Sequence, residues 1–338
     1  MLPLLKATVK KLPGFRGLIA QRETLIKHLE QVSRERDLLA TEVALLNQEK
    51  RVKNSKTRDM LKQAGFVPPG HFYSPIPNFE DIKRDECRIF GEVPVTVPGI
   101  DLNPADQMEL LTRFIPYYQQ MSFTPERQEG YRYYYENPAF SYSDAIVLHC
   151  LMRHVQPRRI IEVGSGFSSC MVLDTNERFF DNEIETTFIE PYPELLQSLL
   201  KEEDKSRVRI LPTRLQDVDI AEFEVLEEND VLFVDSTHVS KIDSDVNRIL
   251  FEILPRLNPG VYIHFHDIFY PFEYPAEWVL EGRAWNEIYI LRAFLQFNRN
   301  FRPVLMNTYM EYFHPEFFEE NLPLCMQNTG GSIWLRRE

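Results

Sequence analysis

The sequence predicts an α/β fold: a mostly parallel sheet wound with helices, carried behind a helical N-terminal extension. Three observations predict it. From residue 158 onward, short β-branched runs alternate with stretches of helical period. The first run, Ile160-Ile161-Glu162-Val163, breaks into Gly164-Ser165-Gly166 and then a helix start. Upstream, residues 15–46 repeat apolar side chains every seven positions. The expected division is a basic helical segment over 1–62, an extended and helical connecting or capping segment over 63–140, and the main domain over 141–338.

Composition bounds the function classes. A chain of 338 residues with 43% hydrophobic content can bury a large core and is not a disordered one. No run approaches the roughly 20 apolar residues of a membrane span. Lys6, Lys10 and Lys11 interrupt the start, so no signal peptide is expected, and Leu2 stands where myristoylation needs glycine. Cys87, Cys150, Cys170 and Cys325 are scattered, with no CxxC pair. Cys150 and Cys170 sit in apolar patterns and read as buried free thiols, as in a reducing cytoplasm. The net charge is -13, yet residues 1–62 carry +7, which leaves -20 on the remainder. An acidic body of that kind is a poor partner for nucleic acid.

In chain order, Leu18, Leu25, Val32, Leu39 and Leu46 hold one heptad position. Phe15, Leu29 and Val43 alternate with Arg22 and Arg36 at the other. The pattern fits a short coiled coil, hence a homo-oligomer, and also a single amphipathic helix lying on its own domain. Leu2, Leu4, Leu5 and Val9 with nearby lysines leave a membrane-surface contact open as a third reading. Gly70 to Pro77 reads as an extended, polyproline-like strip. Gln107–Gln120 has a helical period. The phenols Tyr131, Tyr133, Tyr134, Tyr135 and Tyr142 suit either a lid over a ligand or the rim of the domain. Ser143-Asp144 reads as the cap of the helix that Pro157 closes.

Strands follow at 160–163, 186–189, 208–211, 231–234, 261–265, 304–306 and 332–335. Helices between them include one over 246–257 and one over 288–297. In such a sheet a ligand lies across the carboxyl ends of the strands, so polar residues there carry the information. Glu162 stands two residues before the first glycine. A carboxylate at a strand tip repels a pyrophosphate but suits an ammonium or sulfonium. At Gly164 a side chain would fill the space through which bare backbone approaches the ligand. Glu190 ends the second strand. Asp235 and Asp267 end the fourth and fifth, which are expected as neighbours about 4.8 Å apart. Two carboxylates facing one opening repel unless a proton or cation sits between them.

Glu162, Gly164 and Gly166 resemble the first motif of the class I S-adenosylmethionine-dependent methyltransferases, with Ser168 in place of a third glycine. The resemblance implies a Rossmann-like seven-stranded sheet over about 140–338. It also implies S-adenosylmethionine bound at Glu162, Gly164, Ser165 and Gly166, ribose hydroxyls at Glu190, and the adenine amino group at Asp217. Val234-Asp235-Ser236-Thr237-His238, followed by His266-Asp267, resembles the macrocin-type sugar O-methyltransferases, which use magnesium. That comparison implies Asp235, Asp267 and His266 as metal ligands, with His238, beside Asp235, as general base. His266 stands where many such relatives place a third carboxylate. His264, deeper on the same strand face, is expected as a core histidine with its hydrogen bonds satisfied.

The reading is therefore a methyltransferase acting on the hydroxyl of a small-molecule or glycan acceptor. Two other classes stay open. A nicotinamide-dependent oxidoreductase would also use Glu190, although Glu162 disfavours its pyrophosphate. A non-catalytic coiled-coil scaffold with a ligand-binding α/β domain would need fewer reactive polar residues than Asp235, His238 and Asp267.

Overall fold

The structure, a computed structural model, describes residues 66–338 and individual positions between 17 and 43. The chain divides into two compact units, Met1–Asn78 and Phe79–Glu338. In the first, the described positions between 17 and 43 are all helical and exposed. They include Leu25, Val32 and Leu39 of the heptad series, at 65%, 49% and 61% exposure. Phe15, Leu18 and Leu46 lie outside the described residues, as does most of the expected 1–62 segment. The strip from Gly70 folds back on itself instead of running extended. Gly70, at φ +80°, lets the chain reverse, and its N–H donates to the Ile76 carbonyl at 3.1 Å.

The second unit is built on seven strands: β1 (Arg159–Val163), β2 (Glu185–Ile189), β3 (Arg209–Leu211), β4 (Val231–Val234), β5 (Tyr262–His266), β6 (Phe301–Met306) and β7 (Ser332–Arg337). Their order is β3-β2-β1-β4-β5-β7-β6, with β7 antiparallel to both neighbours and the rest parallel. All four residues of β4 are buried, as a central strand covered on both faces requires. The order reverses between β1 and β4, which opens a crevice at their carboxyl ends. β5 ends one residue later than the sequence predicts, so His266 closes the strand.

Four helices position the site: α1 (Pro104–Tyr118), α2 (Tyr142–Val155), α3 (Phe167–Phe179) and α4 (Glu287–Leu295). α2 starts earlier than expected. Ser141 is its N-cap residue, and Asp144 sits buried in its first turn, accepting from the Gly331 N–H at 3.0 Å. The predicted helix over 246–257 is broken into Asp245–Arg248, a wide turn over Ile249–Ile253 and a tight turn over Leu254–Arg256. Pro255, which has no N–H to donate, lies in that last turn. Residues 79–140 pack with the sheet unit: Leu111, Phe114, Tyr133, Tyr135 and Phe140 all belong to its core. Among the described residues no helix is long and apolar enough to cross a membrane.

Candidate active site

The β1 tip builds one side of the site. Gly164 has φ +80°, and its N–H continues the ladder to the Ile189 carbonyl at 3.0 Å. A Cβ there would lie 1.7 Å from the Asp235 carbonyl oxygen. The neighbouring strand thus demands glycine before any ligand does. Gly166 begins α3, and its N–H donates to the Ser169 hydroxyl at 3.1 Å. Glu162 is fully buried. One carboxylate oxygen accepts from the Ser168 hydroxyl, and Oε2 has no partner among the described residues. Burial is the main cause that raises its pKa to about 8, and the serine hydroxyls work against the rise.

A cleft of ≈ 380 Å³ opens beside this turn, lined by Gly164, Glu190, Tyr192, Gln216, Asp235 and Thr237 among others. Glu190 is held at its rim, accepting from the N–H of Ser165 at 3.3 Å and of Tyr192 at 2.8 Å. Asp217 lies outside the cleft. It is exposed and paired with Arg214 at 2.9 Å, while Arg214, Leu215 and Gln216 line the opening. Tyr133 and Tyr135 belong to the core, not to a lid. Each is 1% exposed, Tyr133 donates to the Phe140 carbonyl at 2.9 Å, and Tyr135 stacks on Tyr142.

β4 and β5 are paired neighbours, and their ends bring Asp235, His238 and Asp267 together. One ligand atom from each lies within 4.8 Å of the others. His238 Nε2 stands 3.3 Å from Asp235 and 3.4 Å from Asp267, between the two carboxylates. His238 and Asp267 both hold left-handed backbone, at φ +59° and +57°. Non-glycine residues adopt that region at a cost and often at functional sites. Burial disfavours charge on His238, yet hydrogen bonds to Asp235 and Glu287 raise its pKa to about 10. Burial works to raise the Asp235 pKa as well, but the charges of His266 and His238 bring it below the usual range. Asp267 is raised by burial.

The arrangement differs in two ways from the sequence expectation. His238, not His266, completes the three-residue group with the aspartates. His266 Nε2 is 3.7 Å from Asp267, its ring lies against Phe140, and its Nδ1 has no partner among the described residues. His264 is buried and stacked 3.9 Å from Phe233, but among the described residues neither ring nitrogen has a hydrogen-bond partner. Burial keeps it neutral, with its pKa held well below the ordinary value.

Sequence reasoning missed Glu287. It is 1% exposed at the start of α4, and its Oε2 meets His238 Nδ1 at 2.9 Å. An acidic residue ahead of an apolar helical run reads as an ordinary first-turn carboxylate, so the sequence held no signal for this contact.

A sheet in this order, with a glycine turn after β1, is the fold of the class I S-adenosylmethionine-dependent methyltransferases. The chain belongs to one family with an uncharacterised protein of Archaeoglobus fulgidus. The two are 40% identical over 167 residues, 48% of this chain and 74% of that one. Residues 161–268 match the family described as a methyltransferase domain. Among solved structures, the SAH-bound methyltransferase PaMTH1 of Podospora anserina is similar at 16% identity and a TM-score of 0.39, over 81% of this chain and 99% of that one. The O-methyltransferase TomG of Streptomyces achromogenes, in complex with SAM, is similar at 16% identity and a TM-score of 0.37, over 60% and 83%.

Proposed function

We propose that the protein transfers the methyl group of S-adenosylmethionine to a hydroxyl of a small-molecule or glycan acceptor at the Asp235–His238–Asp267 cluster. The observation that carries this reading is that Asp235 lines the cleft beside the glycine turn and also belongs to the cluster. A methyl donor in the cleft and an acid–base group thereby share one opening. Glu162, with an unpartnered buried oxygen, suits the donor's ammonium; Gly164 to Gly166 give bare backbone; Glu190 suits the ribose hydroxyls.

The sulfonium is already activated, so the chain's task is alignment and proton removal. Two carboxylates and an imidazole within 4.8 Å of one another also fit a divalent cation. Such a cation would supply a charge that lowers the acceptor hydroxyl's pKa and would replace the proton between the aspartates. Asp235 and Asp267 would hold it. His238, whose raised pKa keeps its proton in the metal-free cluster, is then free to take the hydroxyl's proton at Nε2.

The test is Asp235→Asn and Asp267→Asn. S-adenosylhomocysteine affinity should stay within a few-fold by calorimetry while methyl transfer collapses, and chelation of the unmutated protein should do the same. His238→Ala should lower turnover by about 10²–10⁴-fold with cation content unchanged. Full activity after exhaustive chelation would remove the cation, and loss of bound cation in His238→Ala would make that residue a ligand instead of the base.

A further inference from the structure

We infer that Glu287 is a positioning residue: it holds the Nδ1–H of His238 so that Nε2 is presented between Asp235 and Asp267. This rests on the proposed role of His238, and it adds a residue which that reading does not contain. Glu287 Oε2 lies 2.9 Å from Nδ1, and Nε2 points to the two aspartates at 3.3 and 3.4 Å. One ring thus spans a buried carboxylate on one side and the cluster on the other.

The surrounding contacts fix this geometry from several directions. The N–H groups of Asn286 and Glu287 both donate to the His238 carbonyl at 3.1 Å. The Asn286 side chain accepts from the Ser240 N–H at 2.6 Å and donates to the Ser240 carbonyl at 3.1 Å. The Trp285 ring lies over the imidazole at 4.4 Å. The loop after β4 is therefore clamped to the start of α4, and the left-handed backbone of His238 is held by that clamp.

Purely structural needs do not call for a carboxylate here. Glu287 is buried, and among the described residues its Oε1 has no partner and its side chain bonds only His238, a costly placement for a carboxylate. The hydrogen bond at one ring nitrogen sets which nitrogen is left for chemistry. With the proton on Nδ1 bound to Glu287, Nε2 is the atom that exchanges a proton with the acceptor.

Long-range ¹H–¹⁵N spectra of the His238 ring in the full chain test this directly. Nδ1 should carry a proton, protected from exchange, in the unmutated protein. In Glu287→Gln that resonance should shift and lose protection, while S-adenosylhomocysteine affinity stays within a few-fold. Turnover should fall toward, and never below, that of His238→Ala, and the double variant should match His238→Ala alone, because Glu287 acts through that residue. An unprotonated Nδ1 in the unmutated protein would overturn the assignment even if no variant folds. Additive losses in the double variant would overturn it as well. If no methyl transfer is found in the unmutated protein, the functional reading fails, and the Nδ1 resonance still decides the place of Glu287.

Discussion

Gly164 and Glu162 show how a single residue can serve the sheet and the site together. The sequence reading placed the need for glycine in the cofactor. The structure puts it first in the 1.7 Å approach that a Cβ would make to the Asp235 carbonyl, at φ +80°. Gly164→Ala should therefore cost at least about 2 kcal/mol of stability, from strained backbone and overpacking together. Urea unfolding without ligand would show it, and an unchanged midpoint would return the constraint to the cofactor. Glu162 makes a pH prediction. Its pKa of about 8 means that the free protein holds a proton there at pH 6–7. In the ligand-free protein, the raised pKa favours the folded state at low pH. That contribution fades as pH rises from the ordinary carboxylate range through about 8. Binding an ammonium beside Glu162 requires that proton to leave. Calorimetry at pH 6–7 in buffers of different ionisation enthalpy should record release of about one proton on S-adenosylhomocysteine binding, with affinity rising up to tenfold per pH unit toward 8. Glu162→Gln should remove both effects. A proton count near zero in the unmutated protein would mean that Glu162 is not the ammonium's partner.

Elements held by continuous apolar runs were legible in the sequence, whereas those held by long-range polar contacts were not. The central strands announce themselves because a strand covered on both faces is β-branched and apolar throughout. Val231–Val234 has the same bounds in the sequence reading and in the structure. The candidate site was legible at strand ends, where Glu162, Glu190, Asp235 and Asp267 are proposed to act. It was not where a helix or turn supplies the residue: Glu287 lies 49 positions from His238, and Asp217 turned away to pair with Arg214. The segment around Tyr131–Tyr135 was ambiguous for a similar reason, since phenols suit a lid and a core alike. What settles it is Arg132, 3% exposed, whose guanidinium bonds Asp174 and Glu177 of α3 at 2.6 and 2.7 Å and Asp204 at 2.7 Å. Asp174 also accepts from the N–H groups of Arg132 and Tyr133 at 2.8 Å each. Removing one member leaves buried charge unpaired. Arg132→Met should cost about 3–5 kcal/mol in urea unfolding. A loss under 1 kcal/mol would mean that apolar packing alone holds the segment.

At the scale of the whole molecule, charge and pattern set the N-terminal segment apart from the domain that carries the site. Residues 1–62 hold a balance of +7 and the remainder -20. Leu25, Leu29, Val32, Leu39 and Val43 are helical and at least 49% exposed in a single chain. Burying one leucine-sized side chain is worth about 1.5–3 kcal/mol, so five at heptad spacing provide enough to associate two helices in spite of the entropy of pairing. Arg22 and Arg36, at the alternating positions, would weaken that seam and restrict its register. The sheet, the cleft beside the glycine turn and the Asp235–His238–Asp267 cluster all lie within Phe79–Glu338. Deleting residues 1–62 should therefore leave a folded chain that binds S-adenosylhomocysteine with unchanged affinity. Sedimentation should find the full chain as an oligomer at micromolar concentration and the shortened chain at the monomer mass. Leu25→Glu with Leu39→Glu in the full chain should reproduce the lower mass without loss of cofactor affinity, because a charge at each seam position cannot be buried unpaired. A full chain that stays monomeric across that range would rule out heptad pairing between copies. A shortened chain that stays oligomeric would place the association in the methyltransferase unit instead.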